Sequence, residues 1–311
     1  MPEDNQSLID RVSDWLAKEG YPLEFSTASQ LRAAGFHVRQ GEYVRDPKGG
    51  EPRETDVTAT LTMKVSGSLL RVYQLVECKW SKDKPWVVFV GPGGMAQSAM
   101  ITQSIGSVTG RSLLWARAGD PQLHGLSLFD APSTPAFGGR QAFSDKNDVF
   151  YNTLQGVVSK ASLLAEGYDE NTKKIDQSLE KAVVVFPIVV VDGVLMEAAF
   201  DGDDRRLRLK EVPQIRIHWR GAASWRLHAT VDIVATSALP AFAAQRFLDS
   251  TILLRQLGVG FEQLHQCWKM KTLKPLEITQ GPRGVIGKPA LLREMKATFP
   301  ESQKELPEAG A

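Results

Sequence analysis

The chain is expected to form an α/β fold on a mixed central sheet, and three observations support this. Between Phe36 and Lys79, three runs either alternate polar and apolar side chains or are apolar on both faces, with short turns between them, as antiparallel strands require. A long amphipathic helix pattern then leads into Ala182–Val191, a near-continuous apolar run rich in β-branched residues. That is the signature of a helix crossing over to a buried strand. Further strand-like runs and two helical ones follow, extending the sheet.

Ser7 is placed to cap a first helix, with Ile9, Val12, Trp15 and Leu16 at helical spacing and Gly20 where a helix ends. Pro22 opens a second helix over Leu23–Ala34, closed by Gly35 and carrying Glu24 in its first turn. Phe36–Val44 reads as a strand and Asp46–Gly50 as a turn. Arg53–Leu61, the turn Ser66-Gly67-Ser68 and Leu69–Lys79 follow. In the last of these, Val72, Val76 and Cys78 share one face while Tyr73 and Leu75 share the other. It is therefore expected at the centre of the sheet, with Glu77 and Lys79 as polar exceptions.

Trp80–Trp86 has two readings. Lys82 and Lys84 suit phosphate contacts in a groove, and Trp86 suits a core position opening the apolar run to Val90. Gly91-Pro92-Gly93-Gly94 lacks the Lys-Ser/Thr of a nucleotide-binding loop and reads as a turn before a helix near Met95–Ile105. Arg117–Gln141, rich in Pro, Gly and Ser, reads as an insertion with little regular structure. A helix over Lys146–Leu164 carries the stripe Val149, Phe150, Thr153, Leu154, Val157, Val158 and Ala161, and Gly167–Lys174 is a loop. After the strand ended by Asp192-Gly193, three more are expected at Leu207–Val212, Ile215–Trp219 and Leu227–Thr236. Two helices, Ala238–Leu257 and Phe261–Met270, come next.

The organisation is thus an N-terminal helix (1–22), a core (23–193) with an insertion at about 91–145, a sheet extension with helices (194–270), and a basic arm and flexible tail (271–311). From Trp268 to Thr298 seven basic residues face two acids, which suits either a phosphate-contacting arm or a solvated tail.

Composition sets bounds. A chain of 311 residues, 42% hydrophobic and 23% charged, can bury a substantial core. A net charge of +1 neither supports nor excludes nucleic acid. Two distant cysteines, Cys78 and Cys267, suit a reducing cytosol and exclude a disulfide framework. Met1–Gln6 lacks a signal-peptide pattern. Ala182–Val191 is about half the ~20 residues a membrane span needs and contains Pro187, so a cytoplasmic protein without membrane association is expected.

Chemistry concentrates at Arg53-Glu54-Thr55-Asp56 and Glu77-Cys78-Lys79. Side chains two apart on a strand share a face, so Glu77 and Lys79 point together while Cys78 points away. If the two strands are antiparallel neighbours, the carboxylates of Asp56 and Glu77 and the Lys79 ammonium meet at one spot. Such a spot suits a hard divalent cation and a phosphate. A strand-end Glu and Lys are otherwise a common solvated pair, worth about 0–1 kcal/mol.

An acid on one strand and Glu-x-Lys closing the next, after a helix with a further Glu, resembles the PD-(D/E)xK superfamily of restriction-endonuclease-like nucleases. The likeness spans roughly Leu23–Gly193 and is sharpest from Gly35 to Trp86; no proline precedes Asp56. The resemblance implies an α-β-β-β-α-β core and Mg²⁺-dependent phosphodiester hydrolysis, with Mn²⁺ as a substitute ion. DNA would be the substrate, in restriction or phage defence. It implies Asp56, Glu77, Lys79 and Glu24 as catalytic residues, and Asp56, Glu77 and the Cys78 backbone carbonyl as metal ligands. For Glu24, a helix-stabilising first-turn acid is the competing reading. Double-strand cutting would further imply a homodimer or a partner protein. The alternative is a catalytically silent nucleic-acid-binding or assembly module with the same fold.

Overall fold

The computed structural model describes residues 7–45, 50–81, 83–94, 96–144, 148–170, 179–201, 206–220, 228–277 and 288–299. The turn expected at Asp46–Gly50 (but for Gly50), Lys82, Arg283, the loop beyond Glu170 and the tail from Pro300 lie outside them. The elements in chain order are α1 (Leu8–Lys18), α2 (Tyr21–Ala34), β1 (His37–Val44), β2 (Arg53–Val65), β3 (Ser68–Trp80) and β4 (Trp86–Val90). Then come α3 (Gln97–Thr102), β5 (Ile105–Gly106), α4 (Val108–Arg117), α5 (Pro121–His124), a 3-10 turn (Ser127–Phe129), β6 (Ala136–Gln141), α6 (Val149–Gly167) and β7 (Lys181–Asp192). The chain continues through β8 (Leu195–Asp201), β9 (Arg206–Glu211), β10 (Gln214–Arg220), β11 (His228–Ala235), α7 (Leu239–Met270), α8 (Lys274–Glu277) and α9 (Ala290–Thr298).

The fold is α/β around a large mixed sheet ordered β1-β2-β3-β7-β11-β10-β6-β4-β8-β9, with β5 added against β7. β1, β2 and β3 form an antiparallel ladder. Its tight two-residue turn is Ser66-Gly67, both at positive φ, the geometry that matches strand twist in a hairpin. β7 runs parallel to β3 after a crossover that includes α6, and β11 runs parallel to β7 after a connection through β8, β9 and β10.

Helices cover both faces. α6 lays Phe150, Leu154, Val157 and Val158 over Leu75, Val183, Val185 and Trp86. On the other face α2 packs Leu23, Ala28 and Leu31 on Val57, Ala59, Val76 and Ile188. α4, α7 and α9 bury Leu113, Leu114, Leu253, Leu257, Leu291 and Leu292 against Leu70, Val72 and Val184. Among the described residues no helix is long and apolar enough to cross a membrane.

The structure differs from the sequence expectations in several places. The two expected C-terminal helices are one, α7, because its glycines serve contact rather than breakage: a Cβ at Gly258 would stand 2.7 Å from the Met63 methyl carbon. The insertion is not structureless. It holds α5, a 3-10 turn and β6, and buries Leu123, Leu126, Leu128 and Phe129. The helix near Met95–Ile105 is shorter, and α4 and β8 were not expected. α9 lies where a basic arm was expected, with Leu291, Leu292 and Met295 buried. Trp86 is a core residue, wholly buried. α1 has its Ser7 cap, completed by Asp10, yet its stripe of Ile9, Val12, Trp15 and Leu16 is exposed.

α4 explains itself through β7. β11 pairs with β7 only from Ile188 onward, so the first half of β7 offers a bare edge, which β5 covers at Ile105 and Gly106. Ser107 then ties the α4 start to that edge. Its N–H donates to the Val183 carbonyl at 3.0 Å, and its hydroxyl accepts from Val183 and Gly110 N–H groups at 3.1 Å each. A Cβ on Gly110 would stand 2.1 Å from the Val183 carbonyl oxygen, so no larger residue fits there. Gly110→Ala is therefore expected to destabilise the fold by about 1–3 kcal/mol in chemical denaturation. An unchanged midpoint would mean that α4 can shift off β7 without cost.

Candidate active site

The β2–β3 register pairs Val57 with Val76, which sets Asp56 opposite Glu77 at the next position. Directly opposed residues of an antiparallel pair share a face, and Lys79, two positions beyond Glu77, shares it too. α6 crosses this face and brings Lys160. At the same strand end α2 brings Glu24, within electrostatic reach of Asp56. The structure thus gathers Asp56, Glu77 and Lys79, sets Glu24 at the rim, and adds a residue that sequence reasoning missed.

Glu77 is buried and clamped. Its Oε1 accepts from the Lys79 ammonium at 2.7 Å, and its Oε2 accepts from Lys160. Asp56 Oδ2 accepts the Cys78 backbone N–H at 2.7 Å. A strand residue's N–H and C=O project toward the same neighbour, so the Cys78 carbonyl also lies on the Asp56 side. The Cys78 thiol points the other way, donating to Thr27 Oγ1 at 3.6 Å, and burial pushes it well above the usual thiol range. It is a packing group. At the rim, Arg53 Nη1 donates to Ser159 Oγ at 3.1 Å, linking β2 to α6.

The charges do not balance evenly. Burial would raise the Glu77 carboxyl, but Lys79 and Lys160 outweigh it and hold the group below its ordinary value. Burial would lower the Lys79 ammonium, but Glu77 outweighs it and keeps Lys79 protonated, above its ordinary value. Asp56 is raised, by burial first and then by Glu77, and the Cys78 N–H only partly offsets this. Glu24 is raised too, by burial and then by Asp56, Glu54 and Glu77. Both ammoniums pair directly with Glu77 and act on Asp56 only at longer range, and Glu24 lies within electrostatic reach of Asp56.

Comparison with protein-family models, curated proteins and solved structures returns no match to this chain. The site must be judged on its own chemistry.

Among the described residues no three His, Cys, Asp or Glu side chains stand close enough to hold a metal ion as they are placed. The donor set nevertheless fits a hard cation. It offers carboxylate and carbonyl oxygens, and its carboxyls Asp56 and Glu24 are raised by burial first and by neighbouring acids second. Glu77 would have to exchange an ammonium to contribute. Lys160 was legible in one respect: with Thr153, Val157 and Leu164 it falls at i, i+3, i+4 spacing on the inward face of α6, where a lysine is out of place without a partner.

The two central acids should respond oppositely to neutralisation. A carboxyl raised in the fold contributes stability that is complete below its unfolded value and is lost as pH rises through the folded value. Asp56→Asn, which keeps an acceptor for the Cys78 N–H, is therefore expected to raise the thermal midpoint at neutral pH. That gain should vanish below about pH 4. Glu77 is lowered, so its contribution is present at neutral pH and lost on acidification. Glu77→Gln should cost about 3 kcal/mol at pH 7 by leaving two ammoniums without their counter-charge. Thermal scans from acid to neutral pH check both, and equal signs for the two variants would refute the charge assignment.

Proposed function

We propose that the chain is a metal-dependent nuclease of the restriction-endonuclease-like PD-(D/E)xK type, hydrolysing phosphodiester bonds in DNA. The observation that carries this reading is the convergence of Asp56 and Glu77-x-Lys79 on one face of two paired strands. Lys79 stands 2.7 Å from Glu77, in a partly exposed position at the strand end. The order α2-β1-β2-β3-α6-β7, with β7 parallel to β3, supports it by agreeing with an α-β-β-β-α-β core.

Asp56, Glu77 and the Cys78 carbonyl would hold the Mg²⁺ that the resemblance implies. When bound, such an ion polarises the phosphate and lowers the pKa of water. The chain's own residues supply the rest. Lys79, kept protonated by Glu77, serves as a fixed positive charge for the phosphate oxygens as negative charge builds on them. The Glu77–Lys160 pair holds Lys79's partner in place. Glu24 contributes a further carboxylate beside Asp56, suited to a second cation position.

One observation favours the alternative of a silent nucleic-acid-binding module: both oxygens of Glu77 already accept from ammoniums. The two readings separate on incubation with supercoiled, linear and single-stranded DNA across Mg²⁺, Mn²⁺ and Ca²⁺. The nuclease reading expects metal-dependent cleavage that falls at least about 10²-fold in both Lys79→Ala and Asp56→Ala while the thermal unfolding stays cooperative. Cleavage equal to the parent in both variants would overturn the assignment. Metal-independent DNA binding with no cleavage under any ion would favour the silent module.

A further inference from the structure

β10 and β6 meet in parallel through a single pair, Ile217 with Ala136. Either side of it the strands part, and a cavity of about 440 Å³ opens there. This is within the range of small-ligand sites. Parallel partners share a face, and Ile217 and Ala136 pack toward α6. Phe137, His218 and Arg216 therefore lie on the opposite face. All three line the cavity, together with Met100, Pro132 and Trp219. This is the face away from Glu77 and Lys79.

Arg216 decides what kind of ligand fits. Its Nε and Nη2 donate to Asp232 Oδ1 and Oδ2 at 2.9 and 3.2 Å, and its Nη1 donates to the Asp130 carbonyl at 2.9 Å. Asp232 also accepts from the wholly buried Arg246 at 2.6 Å, so one carboxylate is shared by two guanidiniums. The side chain is thus locked in place by three hydrogen bonds. Three of its five N–H groups are used, which leaves one on each terminal nitrogen. A rigid pair of donors in a planar fork suits a ring with two adjacent acceptors, the pattern that O6 and N7 of guanine present.

Phe137 supplies the stacking surface. One side of its ring lies against Phe89, with centroids 6.3 Å apart and planes 30° from parallel. It can sit so low because residue 91 is glycine: a Cβ there would stand 3.2 Å from the ring. Even so, Phe137 is 68% exposed, an unusual state for a held phenylalanine and one that leaves ring surface for a base. Met100 and Pro132 add apolar surface to the wall, beside the rings of His218 and Trp219.

We propose that the cavity between β6 and β10 binds a guanine base, stacked on Phe137 and read by Arg216, independently of the acidic site on the other face. Titration calorimetry of the full chain, without divalent ion, against guanosine, adenosine and cytidine tests this. Guanosine should bind at least about tenfold more tightly than cytidine. Phe137→Ala, at an exposed position, should weaken guanosine binding about tenfold without lowering the thermal midpoint. Arg216→Lys keeps a charge opposite Asp232 but loses the fork, and should erase the preference for guanosine. An oligothymidylate with one central guanine separates the two sources of the base. Tighter binding than guanosine would identify a base within a strand as the occupant, and equal affinity would identify the free nucleoside. No binding of guanosine at millimolar concentration, equal affinity for the three nucleosides, or binding untouched by Phe137→Ala would overturn the proposal.

Discussion

The structure depends on the parallel seam between β3 and β7, which runs unbroken from Leu69 with Lys181 to Trp80 with Asp192. Both strands are covered on both faces, so every polar side chain in the seam must find a partner inside the protein. Gln74 meets Ser250 of α7, and Glu77 meets two lysines. The seam even extends past its last pair, where the Ser81 N–H donates to the Asp192 carbonyl at 3.0 Å. A rigid ladder thus holds Glu77 and Lys79 at a fixed height, and the neighbouring β2 delivers the second acid to the same level. Precision at the site follows from its being built on strands rather than loops.

The site combines a stabilising half and a destabilising one. The Lys79–Glu77–Lys160 cluster pairs the buried Glu77 carboxylate with the largely buried Lys160 and the partly exposed Lys79. Asp56 and Glu24 lie near the same strand end, and burial together with neighbouring acids raises both carboxyls despite the Cys78 N–H and the two lysines. A site shaped only for stability would place a neutral residue at position 56. The retained acid is the feature that a bound cation would make favourable, and it explains why the structure carries charge it would fold better without.

Much of this was legible in the chain. β1, β2 and β3 announce themselves through alternation and the turn residues Ser66-Gly67-Ser68, the last of which opens β3. β7 does so through its β-branched run, and α6 through its stripe. The convergence of residues 56, 77 and 79 needed only the assumption that β2 and β3 are neighbours. What escaped notice depends on contacts between distant segments. Gly258 and Gly260 look like helix breakers until Met63 and Arg117 are seen against them. α4 has Thr109, Gly110 and Ser112 buried where a helix normally hides large apolar groups, because it abuts backbone rather than side chains. Lys160 could be assigned a partner only once α6 was laid across β3. The segment from Arg117 to Gln141 reads as a loop by composition, yet Leu123, Leu128 and Phe129 anchor it.

The far margin of the sheet carries one last implication. β9 is solvent-exposed at every position, and Leu207 and Leu209 alternate there with Arg206, Arg208 and Lys210. Greasy ribbons left open at a rim invite other chains to zip onto them, and interspersed cations discourage this by mutual repulsion. Self-assembly through this rim, copy against copy, would bring six such cations together, a repulsion that opposes growth of the sheet at its β9 edge.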